Sequence, residues 1–181
     1  MRLLAIGGSL RRGSHNSALL GAAAAECPSD VEFVVWCRLA VIPAFNEDLE
    51  TTPPRSVVSL KDEIARSDAV LIATPEYNGS VPGALKNALD WVSRPFATNA
   101  LRNKPVAVVG ASVGLFGAVG AQAELRKILM TMGARVQDSD LPIAQAHEAF
   151  TADGRLRDPR LAARLRAIVA ALVYSTEQRA A

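Results

Sequence analysis

Apolar and polar positions along the chain follow two alternating patterns. Short, nearly unbroken apolar runs recur at 2–7 (RLLAIG), 69–74 (AVLIAT) and 105–110 (PVAVVG). Glycine, proline or polar residues bound each run, so these segments read as strands covered on both faces. Residues 31–36, VEFVVW, are β-branched and aromatic and read as another strand. Between the strands the spacing becomes helical. Residues 16–26 are rich in Leu and Ala, and Val57, Leu60 and Ile64 mark one face of 55–67. Leu85, Ala88, Leu89 and Val92 form the inner stripe of a helix with Pro82 at its first position. Leu125, Ile128, Leu129 and Met132 repeat at i, i+3, i+4 and i+7, and Gly133 suits that helix's C-terminus. A short fifth strand is expected within 134–143, then a surface excursion, HEAFTADGRLRD. Asp158-Pro159 opens a last helix facing inward through Leu161, Leu165, Ile168 and Leu172. Five strand–helix units predict an α/β fold with a five-stranded parallel sheet, as one domain over 1–181.

In an open parallel sheet, ligands bind beyond the carboxyl ends of the strands, near the switch in strand order. Three loops would emerge there. The first, GGSLRRGSHN at 7–16, is neither GxxxxGK[ST] nor GxGxxG. It offers the hydroxyls of Ser9 and Ser14, with Ser17 just beyond, the amide of Asn16 and the guanidinium of Arg11. With the free N–H groups of a helix start, these suit one terminal phosphate. The competing reading is a capped helix start with solvated arginines. The second loop, Pro75-Glu76-Tyr77-Asn78-Gly79, has flat apolar residues and backbone groups able to line a planar heterocycle. Equally, it reads as a tight turn closing onto a helix capped by Ser80. The third, 111–120, carries Gly114, Gly117 and Gly120, which permit close approach to a ligand or serve the loop's own conformation. Together the three describe a mononucleotide pocket. No residue set resembles a general base, nucleophile or metal cluster, which points to a cofactor that carries the chemistry. His15 and His147 read as surface or loop histidines, and Glu47, Asp48 and Glu50 as a solvated acidic loop.

Composition narrows the function classes. The net charge is +2 and the basic residues are scattered, without the stripe of a nucleic-acid binder. Arg160, Arg164 and Arg166 fall on the outer, solvated side of the last helix. No apolar stretch is long enough to span a membrane, and the N-terminus lacks a secretory signal pattern. Cys27 and Cys37 stand in no metal-binding spacing and read as buried or semi-buried free thiols, so a cytoplasmic location is expected.

GSLRRGSHNSALL at 8–20, IPAFNEDLE at 42–50 and above all PEYNGSVPGALKNALDW at 75–91 resemble the NAD(P)H-dependent FMN reductases, a flavodoxin-like family that includes quinone, azo-dye and chromate reductases. The first follows that family's pattern GSxRxxSxN, and the third its PEYNxSxPGxLKNxLDW. The resemblance implies a flavodoxin-like three-layer sandwich binding FMN, with NADPH or NADH as co-substrate and a small-molecule electron acceptor: quinone, flavin, azo compound or metal oxyanion. It implies that Ser9, Arg11, Ser14 and Asn16, with Ser17 as a further candidate, hold the FMN phosphate. It implies that Pro75, Glu76, Tyr77, Asn78 and Gly79 line the isoalloxazine, Glu76 through its backbone with the side chain in solvent. Ser112, Val113 and Gly114 would approach the other side of the flavin or its ribityl chain. A homodimer or tetramer is implied, and Trp91 and Phe96, off or beyond the inner stripe of their helix, suit an interface. One departure stands out: Leu115 and Phe116 interrupt the family's glycine-rich third loop, where they narrow the pocket or stack on flavin or substrate. The alternatives in other classes are a flavodoxin-type electron carrier, which the +2 charge disfavours, and a redox sensor.

Overall fold

The computed structural model describes residues 1–180, with side chains to residue 176. Strands β1 (Arg2–Gly7), β2 (Glu32–Trp36), β3 (Ala69–Thr74), β4 (Pro105–Ala111), β5 (Arg135–Val136) and β6 (Pro142–Ile143) alternate with helices α1 (His15–Ala25), α2 (Arg55–Arg66), α3 (Gly83–Val92), α4 (Val119–Thr131) and α5 (Pro159–Ala180). All pairings are parallel, in the order β2-β1-β3-β4-β5, with β6 also pairing with β4. This is the flavodoxin-like order, whose switch point lies between β1 and β3.

The expected fifth strand is split. β5 pairs with Pro105 and Val106, and β6 with Gly110 and Ala111. Between them Gln137 donates to the Val106 carbonyl and then the chain leaves the sheet at Asp138–Asp140. That polar segment has no apolar alternation to keep it in a ladder.

The strands sort their side chains with period two, which makes three layers. Leu4, Ile6, Val70, Ile72, Val106 and Val108 pack beneath α2, α3 and α4. Leu3, Ala5, Leu71, Ala73, Ala107 and Val109 pack against α1 and α5. Alanine is frequent on the second face, where Ala22 and Ala23 of α1 bring that helix close to the sheet.

Trp91 does not face outward. It is 0% exposed, its indole N–H donates to the Pro43 carbonyl at 2.9 Å, and its ring meets Phe45 edge-on at 5.0 Å. Asn87 holds the same loop, accepting from Phe45 N and donating to Pro43 O, each at 2.8 Å. The aromatic face expected at an interface is therefore an internal clamp on residues 42–50. Phe96 does lie at the surface, under the Arg102 guanidinium. The acidic residues of the loop are not simply solvated, since Glu47 and Glu50 both pair with Arg94. Cys37 is exposed rather than buried, and Cys27 is half-buried, its thiol pushed up by burial.

Candidate active site

The loops after β1, β3 and β4 meet at the carboxyl edge of the sheet, over its switch point. In the first, Gly8 N–H donates to Ala73 O at 2.8 Å. A Cβ at Gly8 would lie 2.9 Å from Leu85 Cδ2 and 3.2 Å from Ala73 O, so only glycine lets the loop press onto β3 and α3. Ser14 caps α1, accepting from Asn16 N at 3.2 Å, and Ser9 Oγ accepts from Arg11 N at 3.2 Å. The Asn16 amide reaches across the end of β3 to β4, where it donates to Ala111 O and accepts from Ala111 N, both at 2.9 Å. Much of its hydrogen-bonding capacity is thus committed to holding loop one against loop three.

The second loop is a tight turn. Tyr77 and Ser80 exchange two backbone hydrogen bonds of 3.1 Å, and Asn78 and Gly79 between them have φ of 54° and 77°. Two left-handed central residues define a type I′ turn, for which Asn-Gly is favoured. Ser80 does not cap α3, and Pro82 precedes its first residue rather than occupying it. Glu76 does not point to solvent through its carboxylate. Its Oε2 accepts from Ala121 N at 2.8 Å, satisfying a donor of the first turn of α4 and holding that helix to the loop.

The third loop is braced from below. Ser112 N donates to Ile143 O, Ala146 N to Ser112 O, and Gln145 N to Gly114 O. Gly117 has φ +58°, and a Cβ there would lie 2.6 Å from Pro142 C and 2.7 Å from Ile143 N. Its glycine is needed for packing against β6, a Cβ at Gly120 would lie 3.0 Å from Glu76 Oε2, and one at Gly114 would meet only Ser112 Oγ, in ordinary contact at 3.6 Å. Gln122, 0% exposed, donates to Gly117 O and accepts from Leu141 N. The sequence reading missed this buried amide because it lies within the helical pattern of α4, beside an apolar stripe that already accounts for the segment.

The three loops enclose a cavity of about 430 Å³, within the range of small-molecule sites. Ser9, Arg11, Ser14 and Asn16 line it from loop one, Pro75, Glu76 and Tyr77 from loop two, and Ser112 and Val113 from loop three. His15 and Ala111 also line it, neither of them expected from the sequence. Ser17 is exposed on α1 outside the cavity, and Asn78, Gly79 and Gly114 are not among the residues that line it. Burial, then Arg11, then His147 hold the His15 imidazole below its ordinary value. Around the mouth stand exposed apolar side chains, among them Tyr77 at 51%, Leu115 at 74% and Phe116 at 76%.

One end of this cavity fits a phosphate monoester. Two serine hydroxyls, a helix N-terminus and the Arg11 guanidinium converge there, and Arg11 has no carboxylate partner among the described residues. Pro75, Tyr77 and Val113, from the other two loops, add flat and apolar surface to the wall. No group of three or more His, Cys, Asp or Glu able to hold a metal occurs among the described residues.

The family model for NADPH-dependent FMN reductase matches residues 1–148, a span that contains all three loops. The chain belongs to this family. An NAD(P)H-dependent FMN reductase of Pseudomonas aeruginosa is 40% identical over 162 residues, covering 88% of this chain and 86% of that protein. A quinone reductase of Pseudomonas putida is 42% identical over 144 residues, covering 79% and 73%. The solved structure of FerB, a flavoenzyme NAD(P)H:(acceptor) oxidoreductase from Paracoccus denitrificans, superposes with a TM-score of 0.86 at 40% identity, covering 98% of this chain and 97% of that one. The protein is thus an oxidoreductase with FMN as cofactor and NAD(P)H as co-substrate.

Placing this FMN reductase's site at the carboxyl edge also sorts its arginines. Arg102 lies beyond the opposite end of the sheet, below the start of the seven-residue β4, roughly 20 Å away at the usual rise per strand residue. Arg126 donates to Ser139 O, and Arg12 is exposed beside the cavity. Of these three, Arg12 alone stands in the loop that lines the pocket.

Proposed function

We propose that this FMN reductase passes hydride from NAD(P)H through FMN to a small planar acceptor, a quinone first of all. Flavins, azo compounds and metal oxyanions are the further acceptors of this reading. The observation that carries it is the make-up of the cavity wall: Arg11 and two serine hydroxyls from loop one, with the flat or apolar Pro75, Tyr77 and Val113 from loops two and three.

The chemistry supplied by bound FMN is storage of a hydride from the nicotinamide and its release to the second substrate. The chain's own residues bind and orient. Arg11, Ser9, Ser14 and the N–H groups of α1 hold the phosphate and so fix the depth of the ring system. Asn16 holds the two walls of that end at a set separation through Ala111. Pro75 and Tyr77 would line the ring, and the backbone N–H groups at the tip of the Asn78–Gly79 turn, not used in closing it, would donate to its edge and favour negative charge there. Val113, Leu115 and Phe116 exclude water from the open face and receive nicotinamide and acceptor in turn. No side chain is required as a general acid or base. Successive use of one face gives ping-pong kinetics. Initial rates of NADPH oxidation at several quinone concentrations test this: parallel double-reciprocal lines are expected, and intersecting lines contradict it.

Exposed apolar side chains on loops two and three, Tyr77, Val113, Leu115 and Phe116, support a homodimer with its flavin sites near the interface. Light scattering at micromolar concentration is expected to give twice the 19.2 kDa chain mass. A monomeric mass contradicts the dimer. The cytoplasm is the proposed location, consistent with two free thiols, and the whole chain is proposed to act as one domain.

A further inference from the structure

The pattern GSxRxxSxN leaves the position of His15 open, yet His15 lines the cavity between Arg11 and Asn16. It is the first residue of α1, directly after the Ser14 cap. Its ring makes no hydrogen bond among the described residues.

The titratable groups that face it are Arg11 and His147. Arg11 approaches from its own loop and His147 from the segment after β6. Among the described residues Arg11 has no acidic partner, and His147 meets the exposed Glu148 at 3.4 Å. There is no acidic residue in the first turn of α1. Glu76, the carboxylate on the cavity wall, is engaged by Ala121 N. Without ligand, then, burial and the Arg11 guanidinium favour the neutral imidazole.

A phosphate monoester among Ser9, Arg11 and Ser14 reverses the balance. Near neutral pH it brings a charge of about −1.5 to −2 to within hydrogen-bonding reach of the imidazole. We propose that His15 is a further ligand of the FMN phosphate, taking one proton from solvent as the phosphate docks and donating a charge-assisted hydrogen bond to it. This rests on the placement of the FMN phosphate in the first loop. The consequence is that FMN affinity is coupled to pH through His15. While one proton is taken up on binding, the affinity rises by up to about tenfold for each unit by which pH falls. The second ionisation of the phosphate itself, near pH 6, opposes this and is common to every variant, so the contrast between wild type and His15→Gln isolates the histidine.

The test uses the full chain depleted of flavin. FMN and riboflavin are each titrated by fluorescence quenching between pH 6 and 8, with wild type, His15→Gln and His147→Gln. Calorimetry in two buffers of different protonation enthalpy counts the protons taken up. Far-UV circular dichroism confirms that the variants are folded. The expected result is a wild-type advantage over His15→Gln for FMN that grows as pH falls, absent for riboflavin, and a larger proton uptake by wild type. His147→Gln, which leaves His15 in place, is expected to keep the wild-type advantage and its pH trend. Equal proton uptake and equal pH slopes in wild type and His15→Gln overturn the role of His15 while leaving the phosphate site standing. If wild type binds FMN no more tightly than riboflavin, the phosphate-loop reading itself has failed, and the role of His15 with it.

Discussion

Asn16 and Ala111, 95 residues apart in sequence, exchange two 2.9 Å hydrogen bonds between a side-chain amide and a backbone peptide group. Both residues are buried. The pair joins the start of α1 to the end of β4 across the strand between them, so the floor of the cavity is a covalent loop on one side and a hydrogen-bonded tie on the other.

Replacing Asn16 by Leu keeps the branched shape and removes the tie. Ala111 is left with a buried N–H and C=O, which costs about 2–4 kcal/mol and lowers Tm by roughly 5–15 °C. Because loops one and three then separate, FMN affinity falls as well. Thermal unfolding with and without FMN checks both effects. An unchanged Tm would show that the tie does not support the floor.

Arg11 acts differently. Arg11→Ala removes a charge-assisted pair to the phosphate without disturbing any contact in the ligand-free fold, where its guanidinium makes no ion pair among the described residues. FMN binding is expected to weaken by about 1.5–3 kcal/mol, roughly 10- to 150-fold, while riboflavin binding and Tm without ligand stay the same. Paired titrations with the two flavins read this directly, and an equal loss for both would place Arg11 at the ring rather than the phosphate.

Gly117 tests the bracing of the third loop. Its φ of +58° and the 2.6 Å approach of a would-be Cβ to Pro142 leave no room for a side chain. Gly117→Ala is expected to destabilise the protein by about 2 kcal/mol or more. Gly114→Ala, whose Cβ would make only an ordinary 3.6 Å contact with Ser112 Oγ, is expected to be nearly silent in denaturant unfolding.

The stability of the flavin-free protein should depend on pH with a definite sign. His15 is held below its unfolded value of 6.5, so the unfolded chain binds more protons in that window. Stability is therefore full above about pH 7 and declines as pH falls through 6.5 towards the lowered folded value. Tm scans from pH 7.5 to 5.5 are expected to fall more steeply for wild type than for His15→Gln. With saturating FMN the contrast reverses, because the phosphate then favours the imidazolium.

The elements that carry strong periodicity were legible in the chain itself. Ala69–Thr74 forms a strand with those bounds, and the stripe Leu85, Ala88, Leu89 and Val92 is buried as its spacing predicts. The fifth strand was legible only as an interval, because β5 and β6 hold two residues each and depend on β4 for their existence. Loop chemistry was legible as residue types but not as partners. Nothing in the string marks Glu76 as the acceptor for Ala121 N, or Gln122 as the tie to Leu141, because both bonds join segments that meet only in the fold. Trp91 was misread for the same reason: its partner is Pro43, 48 residues earlier. His15 was taken as a surface residue because helix periodicity assigns no inward face to a first-turn position, whereas the cavity wall is made by loops.

The central claim is that the three loops form an FMN site from which the protein draws reducing equivalents supplied by NAD(P)H. The most direct measurement is the visible spectrum of the FMN-loaded protein under anaerobic conditions, before and after NADPH and then after a quinone. Loss of the flavin band on adding NADPH, and its return on adding quinone, is the expected result. A flavin band that persists in NADPH, or a protein that retains no FMN, would contradict it.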